Sequence, residues 1–406
     1  MKNYPRIGEK KIMKNDLNPI WMKAAVAGGL WASFEIVVGS MLHNLHIPFS
    51  GTMLATFSVV LMISFVQIWN TRGLIWRAGI VCGLMKSLSP SAVILGPMTG
   101  IMMEAFLMEL MIFLAGRNLA GYILGGITAL LSAILHKLTS LFILYGTDLV
   151  TIYLNLFEFI KKQLNIPGAS AGDLILGLIV IYMVLGAVAA IAGTWMGRRA
   201  LKSRPDSEPI DLPGDPFATA WQKTDPGQKF RILLLFLHLL SIPILLFTIN
   251  RFGLRWPALA PSIIYILFLL LYYPRIKHRL LKPFFWSQLM MMILIAALFY
   301  RSGEPGFFHP EGVIVGLEMC LRAILIVSTF SGLSVEIRNP RITRWLLGLG
   351  LENAYSALSL AFNSLPVMLD RSTGLTAFLR KPVGSFTMLI YEAELWLRSY
   401  QTHLEK

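Results

Sequence analysis

Apolar runs of about twenty residues recur along most of this chain, broken by short polar stretches that carry Lys and Arg. A run of that length spans the hydrocarbon core of a bilayer as an α-helix. In the first half the pattern predicts about six such helices, near 22–42, 50–69, 74–95, 98–115, 119–143 and 172–196. The stretch 144–171, with Lys161 and Lys162, reads as an external loop or a surface helix. In the second half further spans are predicted near 231–249, 257–273, 284–300 and 312–331. Beyond Arg338 the periodicity changes. Segments 342–369 and 383–401 mix Leu, Ala and Phe with Glu352, Asp370, Arg371, Glu392, Glu394 and Arg398. Such amphipathic helices are expected to lie along the cytoplasmic face rather than cross the bilayer.

One segment interrupts the apolar pattern. Residues 203–229 contain Pro205, Pro209, Pro213, Pro216 and Pro226 and acids from Asp206 to Asp225. It reads as a polar cytoplasmic linker. Three regions follow: a membrane bundle over 1–200, the linker over 201–229, and a second bundle with C-terminal helices over 230–406. The expected fold is all-α and polytopic, with two helical bundles of about six and four spans.

Composition agrees. Of 406 residues 55% are hydrophobic and 14% charged, against about 25% charged in a typical soluble domain. Mean hydropathy is +0.64. The 36 basic and 22 acidic residues leave a net charge of +14. In a soluble protein that excess would suggest nucleic acid. Here the basic residues flank apolar runs, so topology explains them and no nucleic-acid partner is expected. Lys2, Arg6, Lys10, Lys11, Lys14 and Lys23, then Arg72, Arg77, Arg117 and the Arg198–Arg204 cluster, all fall on one side if the spans alternate. That side is read as cytoplasmic, with the N-terminus a retained cytoplasmic tail. Cys82 and Cys320 lie in separate apolar runs, which implies no disulfide framework.

The chain carries no H-E-x-x-H, G-x-S-x-G or G-x-x-x-x-G-K-[ST] motif. Gly79, Gly83, Lys86 and Ser87 match a phosphate loop only loosely. No ATPase motif, catalytic set, metal site or cofactor is therefore expected. The candidate chemistry is intramembrane. Glu35 lies deep in the first predicted span, and Glu104 and Glu109 lie in the fourth; acids in spans are costly and mark functional cavities. Five residues separate Glu104 from Glu109, about 140° around a helix, so they do not share a face. His43 and His46 end the first span before Pro48, at the mouth of such a cavity, and no nearby ligand completes a metal set. Glu35, His43, His46, Glu104 and Glu109 are thus the candidate substrate-binding residues. Small residues recur at every fourth position in three stripes: Ala24/Gly28/Ala32, Gly121/Gly125/Ala129/Ala133 and Ala189/Gly193/Gly197. Each stripe allows close helix packing, within the bundle or against another membrane domain.

The run from Arg322 to Arg380, RAILIVSTFSGLSVEIRNPRITRWLLGLGLENAYSALSLAFNSLPVMLDRSTGLTAFLR, resembles the transmembrane T component of energy-coupling factor transporters, the cobalt and vitamin branch of ABC importers. The shared features are an apolar span ending in Ser/Thr, a polar turn, an amphipathic helix, Leu365-Pro366 followed by Asp370, and a basic residue at Arg380. The stretch FTMLIYEAELWLRSYQ from Phe386 resembles that family's last coupling helix. Where the family carries Ala-Arg-Gly, Arg380 is followed by Lys381-Pro382 and Arg398 by Ser399-Tyr400. The first half resembles the substrate-binding S component, with Ala24, Gly28 and Ala32 at the place of its Ala-x-x-x-Ala docking motif. The resemblance implies a fused S–T importer subunit of the bacterial inner membrane. It also implies two separate ATP-binding cassette ATPase subunits as partners and a vitamin-like molecule or metal as substrate. Asp370, Arg371, Arg380 and Arg398 would then be the ATPase-coupling residues. The substrate half would topple as ATP binding moves the coupling helices. A membrane-embedded lipid- or prenyl-modifying enzyme using Glu104 and Glu109 is the alternative reading.

Overall fold

The computed structural model describes residues 17–44, 49–88, 95–166, 168, 170–202, 232–273, 276, 277, 280, 281, 283–300, 308–336, 352–371 and 382–405. The linker 203–229, His46 and Arg380 lie outside them. The described residues form helices and no strands: α1 (Pro19–Asn44), α2 (Ser50–Ile68), α3 (Leu74–Leu88), α4 (Leu95–Ala115), α5 (Leu119–Tyr145), α6 (Asp148–Gln163), α7 (Ala171–Lys202), α8 (Ile232–Phe252), α9 (Trp256–Tyr272), α10 (Pro283–Phe299), α11 (Pro310–Glu336), α12 (Glu352–Arg371) and α13 (Pro382–Glu405). Seven helices, α1, α2, α4, α5, α7, α8 and α11, contain windows long and apolar enough to cross a membrane. This is an all-α, multi-pass membrane protein. Within the stretch 144–171, residues 148–163 form the amphipathic α6, with Ile152 and Phe157 buried.

The compact units do not follow the halves read from the sequence. One unit comprises residues 1–134, 179–226 and 343–406, the other 135–178 and 227–342. Helices α12 and α13, expected along the cytoplasmic face, belong to the core of the first unit. Ala357, Leu360, Ala361, Ile390, Ala393, Trp396 and Tyr400 share one apolar cluster with α1, α2 and α3. The hydropathy pattern marked where helices begin and end. It did not mark which faces meet, because amphipathic helices satisfy an interface as well as a membrane surface.

In the first unit α1 is the central helix, with 83% of its apolar window buried against 17% for α5. Small residues set the spacing. Gly28 leaves room for the Ala78 carbonyl of α3, 2.6 Å from where a Cβ would stand. Gly125 faces the Met108 carbonyl of α4, and Gly193 and Gly197 face the Val60 and Ser64 carbonyls of α2 at 2.7 and 2.8 Å. All three stripes therefore contain glycines that pack within this bundle. Gly126 and Gly186 meet reciprocally, each Cβ position lying 2.5 or 2.6 Å from the other's carbonyl oxygen. Lipid supplies no hydrophobic force between helices, so this backbone contact holds α5 to α7 by packing alone. Gly186→Val is expected to cost about 1–3 kcal/mol through overpacking, read as a shift in SDS-induced unfolding. Gly177→Val, on an open part of the same helix, should leave the unfolding curve in place.

In the second unit α10 and α11 approach closely at Gly312 and Gly316. The Asn155 side chain of α6 donates to the carbonyls of Phe299 and Tyr300 at 2.7 and 3.1 Å, which satisfies free carbonyls at the end of α10. Arg322 of α11, almost fully buried, donates to the Tyr145 carbonyl at 2.8 Å and faces Asp148 at 3.6 Å and Glu318 at 3.9 Å. One guanidinium thus pins the α5–α6 turn. Gly146, at φ 79°, supplies the left-handed backbone that this turn needs.

Candidate functional site

Buried polar side chains gather where α1, α2, α3 and α4 meet. Glu35, 7% exposed, pairs with Lys86 of α3 at 3.0 Å, and the same ammonium donates to the Glu35 carbonyl at 3.0 Å. Lys86 is the partner that a buried intramembrane acid requires. Glu104 of α4, 6% exposed, points into the bundle and accepts a hydrogen bond from Ser58 of α2. Cys82, one turn before Lys86 on α3, is buried and a free thiol. Four helices therefore contribute two buried polar pairs, Glu35–Lys86 and Glu104–Ser58, to an apolar bundle.

Two other candidates stand apart from these pairs. Glu109 does not join Glu104. Its two carboxylate oxygens accept the backbone N–H groups of Gly73 and Ile75 at 2.7 and 2.8 Å. It caps the N-terminus of α3 from a neighbouring helix, where free N–H groups and the helix dipole favour an anion. Arg77 closes the same corner, with its guanidinium 4.4 Å from the Trp76 ring centroid and 5.3 Å from that of Trp21. His43 occupies the last turn of α1, eight residues beyond Glu35 and so about 12 Å further along the axis.

The second candidate region is the seam between α1 and the C-terminal helices. Asn353 accepts from the Asn18 backbone at 2.9 Å. Further along, Gly29 meets Met368 and Ala361, its Cβ position 3.0 Å from the Met368 sulfur. Helix α12 thus runs parallel to α1 and packs along it. Phe386 joins Phe34 and Phe57 at centroid distances of 6.0 and 5.7 Å, and the Trp69 indole N–H donates to Glu394 at 2.9 Å. Helix α13 therefore runs back beside α2, antiparallel to α12. The two form a hairpin laid lengthwise on α1.

This arrangement separates the expected coupling residues. Asp370 and Arg371 end α12 at the end remote from Asn353. Arg398 lies exposed one turn beyond Glu394, towards the end of the unit that carries Lys23, Thr71 and Arg77. The small-residue stripe is also displaced by one position. Gly28 serves α3, and the face towards α12 is the row Ala25/Gly29/Ser33, Ala25 and Ser33 lying one turn from Gly29 on either side. Spacing found a stripe on α1 but could not choose between two adjacent rows, since both read as small-x-x-x-small. Lys86 was also legible as a lysine inside a predicted span, a signal for a buried counter-ion. No family model, curated protein or solved structure matches the chain.

Proposed function

We propose that this chain is the membrane subunit of an ATP-driven importer of the energy-coupling factor type, with the substrate-binding and transmembrane coupling components fused. It takes up a small vitamin-like molecule or metal and works with two separate ATP-binding cassette subunits in the bacterial inner membrane. Its N-terminus is cytoplasmic. The observation that carries this reading is the seam between α1 and the α12–α13 hairpin. The resemblance implies that the first span of the substrate half docks on the coupling helices through small residues. It also implies a toppled state in which that half lies on them. Helices α12 and α13 laid along α1 from Asn18 to Phe34, with Gly29 in the seam, are the kind of contact such a state calls for. The Glu35–Lys86 and Glu104–Ser58 pairs supply polar groups to the substrate half. Arg398 is exposed and free to meet a carboxylate on a partner, for which a guanidinium offers bidentate bonds.

The test is co-purification of the tagged full chain with ATPase subunits encoded beside it, followed by ATP-dependent uptake in vesicles. The wild-type chain is expected to retain the ATPases, and the Arg380→Ala/Arg398→Ala variant to lose them while still binding ligand. ATPases retained at wild-type yield by the double variant would remove the arginines from the coupling role. A wild-type chain that retains no ATPase and takes up nothing on ATP addition would overturn the importer reading.

A further inference from the structure

A second polar assembly lies in the other unit, among helices rich in Leu, Ile and Phe. His238 of α8 is fully buried. Its Nδ1 lies 2.7 Å from the Tyr265 hydroxyl and its Nε2 lies 2.8 Å from the Tyr273 hydroxyl. Tyr273 in turn donates to Glu336 at 2.7 Å. Glu336, at the end of α11, is also fully buried. Four titratable groups from α8, α11 and the α9 segment thus form one continuous chain: Tyr265, His238, Tyr273, Glu336. The helices are packed to permit it. On α11, Gly332 stands one turn before Glu336, and a Cβ there would lie 3.3 Å from His238 Nε2 and 3.2 Å from the Tyr273 ring.

The chain has a direction. The Tyr273 hydroxyl has one proton and gives it to Glu336, so its oxygen must accept from His238 Nε2. A neutral imidazole that donates through Nε2 accepts through Nδ1, so Tyr265 donates to the ring. Every donor then points towards Glu336. Beyond Tyr265 the polar line continues. Ser241 and Thr329 stand beside the Tyr265 hydroxyl. Ser262, one turn earlier on α9, and Ser328, next to Thr329, are fully buried, and their hydroxyl oxygens have no hydrogen-bond partner. From Ser262 to Tyr273 the column covers eleven residues, about 16 Å at the helical rise. The hydrocarbon core is about 30 Å thick. The column is therefore half a path, suited to loading a proton and not to leaking one.

We propose that Tyr265, His238, Tyr273 and Glu336 form an intramembrane proton-binding relay, with the proton as ligand and Glu336 as its final acceptor. An incoming proton bonds to the Tyr265 oxygen as the original Tyr265 proton moves to His238 Nδ1. The Nε2 proton moves to the Tyr273 oxygen, and the Tyr273 proton moves to Glu336. One proton is taken up, each intermediate group regains its starting charge, and the carboxylate becomes neutral. The donors then all point the other way, so the relay has two states. Among the described residues, Tyr272 of α9 adjoins Tyr273 and Lys277 follows it by four residues. Helix α10 carries no ionisable side chain, Arg251 lies at the far end of α8, and Glu311, Glu318, Cys320 and Arg322 lie at least fourteen residues before Glu336 on α11. The relay stands whether or not the chain partners ATPases.

The experiment is pH-jump infrared difference spectroscopy on the full chain in lipid nanodiscs. On acidification the wild-type protein is expected to show a protonated-carboxyl band together with a change in the imidazole bands. Glu336→Gln should remove that carboxyl band at least tenfold. Tyr273→Phe keeps the ring packing but cuts the wire, and should uncouple the imidazole change from the carboxyl change. A carboxyl difference spectrum identical in wild type and Glu336→Gln would overturn the proposal, leaving a static network. So would an imidazole response unchanged in Tyr273→Phe, a variant that decides the question even if Glu336→Gln fails to fold.

Discussion

Lys86→Met is expected to destabilise the protein by about 3–5 kcal/mol, the cost of leaving one member of a buried ion pair alone. The side chains of Lys86 and Glu35 are 16% and 9% exposed, and they lie 3.0 Å apart. Methionine fills much of the lysine stem's volume, so lost packing contributes little. What remains is the Glu35 carboxylate facing an apolar bundle without its cation. The double variant Glu35→Gln/Lys86→Met removes both charges and should recover most of the loss, because a buried pair is worth far less than its breaking costs. SDS-induced unfolding in mixed micelles reads both variants and yields the coupling energy. A Lys86→Met protein that unfolds at the wild-type detergent fraction would show that the pair is solvated and not structural.

On the importer reading proposed above, Gly29→Leu should have its largest effect on uptake. A Cβ at this position already stands 3.0 Å from the Met368 sulfur and 3.4 Å from the Ala361 methyl. Three further carbons force α12 away from α1. Overpacking of about 1–3 kcal/mol corresponds to roughly a fivefold to 150-fold change in seam occupancy. ATP-driven uptake should fall on that scale while ligand binding by the first unit persists, since Gly29 faces away from the Glu35–Lys86 pair. Gly51→Leu, at a position with no neighbour within 4 Å, is the control. Uptake unchanged in Gly29→Leu would mean that the α1–α12 contact does not couple the two parts.

The physical reason that the candidate site was only partly legible lies in what a sequence can register. Glu35 and Glu104 stand out as charges in apolar runs, and the structure buries both. Glu109 stands out for the same reason, yet it serves a helix N-terminus, since a carboxylate's role depends on which N–H groups reach it. Its partners are Gly73 and Ile75, more than thirty residues away. The His238–Tyr265–Tyr273–Glu336 chain was not visible at all. Three of its members are amphipathic residues in apolar helices, and nothing local to any one of them reveals the other three.

The sequence by itself determined that this is an all-helical, multi-pass protein and roughly where most of its helices lie. Length of apolar run and the position of Lys, Arg, Pro and Gly carry that information locally, because a bilayer-spanning backbone must satisfy its own hydrogen bonds. Only the tertiary structure decided how those helices are shared out. The C-terminal pair α12 and α13 joins the first unit, while α6 joins the second. Gly29 rather than Gly28 faces the hairpin, and Lys86 answers Glu35. Those outcomes depend on which faces of distant segments are complementary. Complementarity is a property of pairs of surfaces in three dimensions, and no single stretch of sequence contains it.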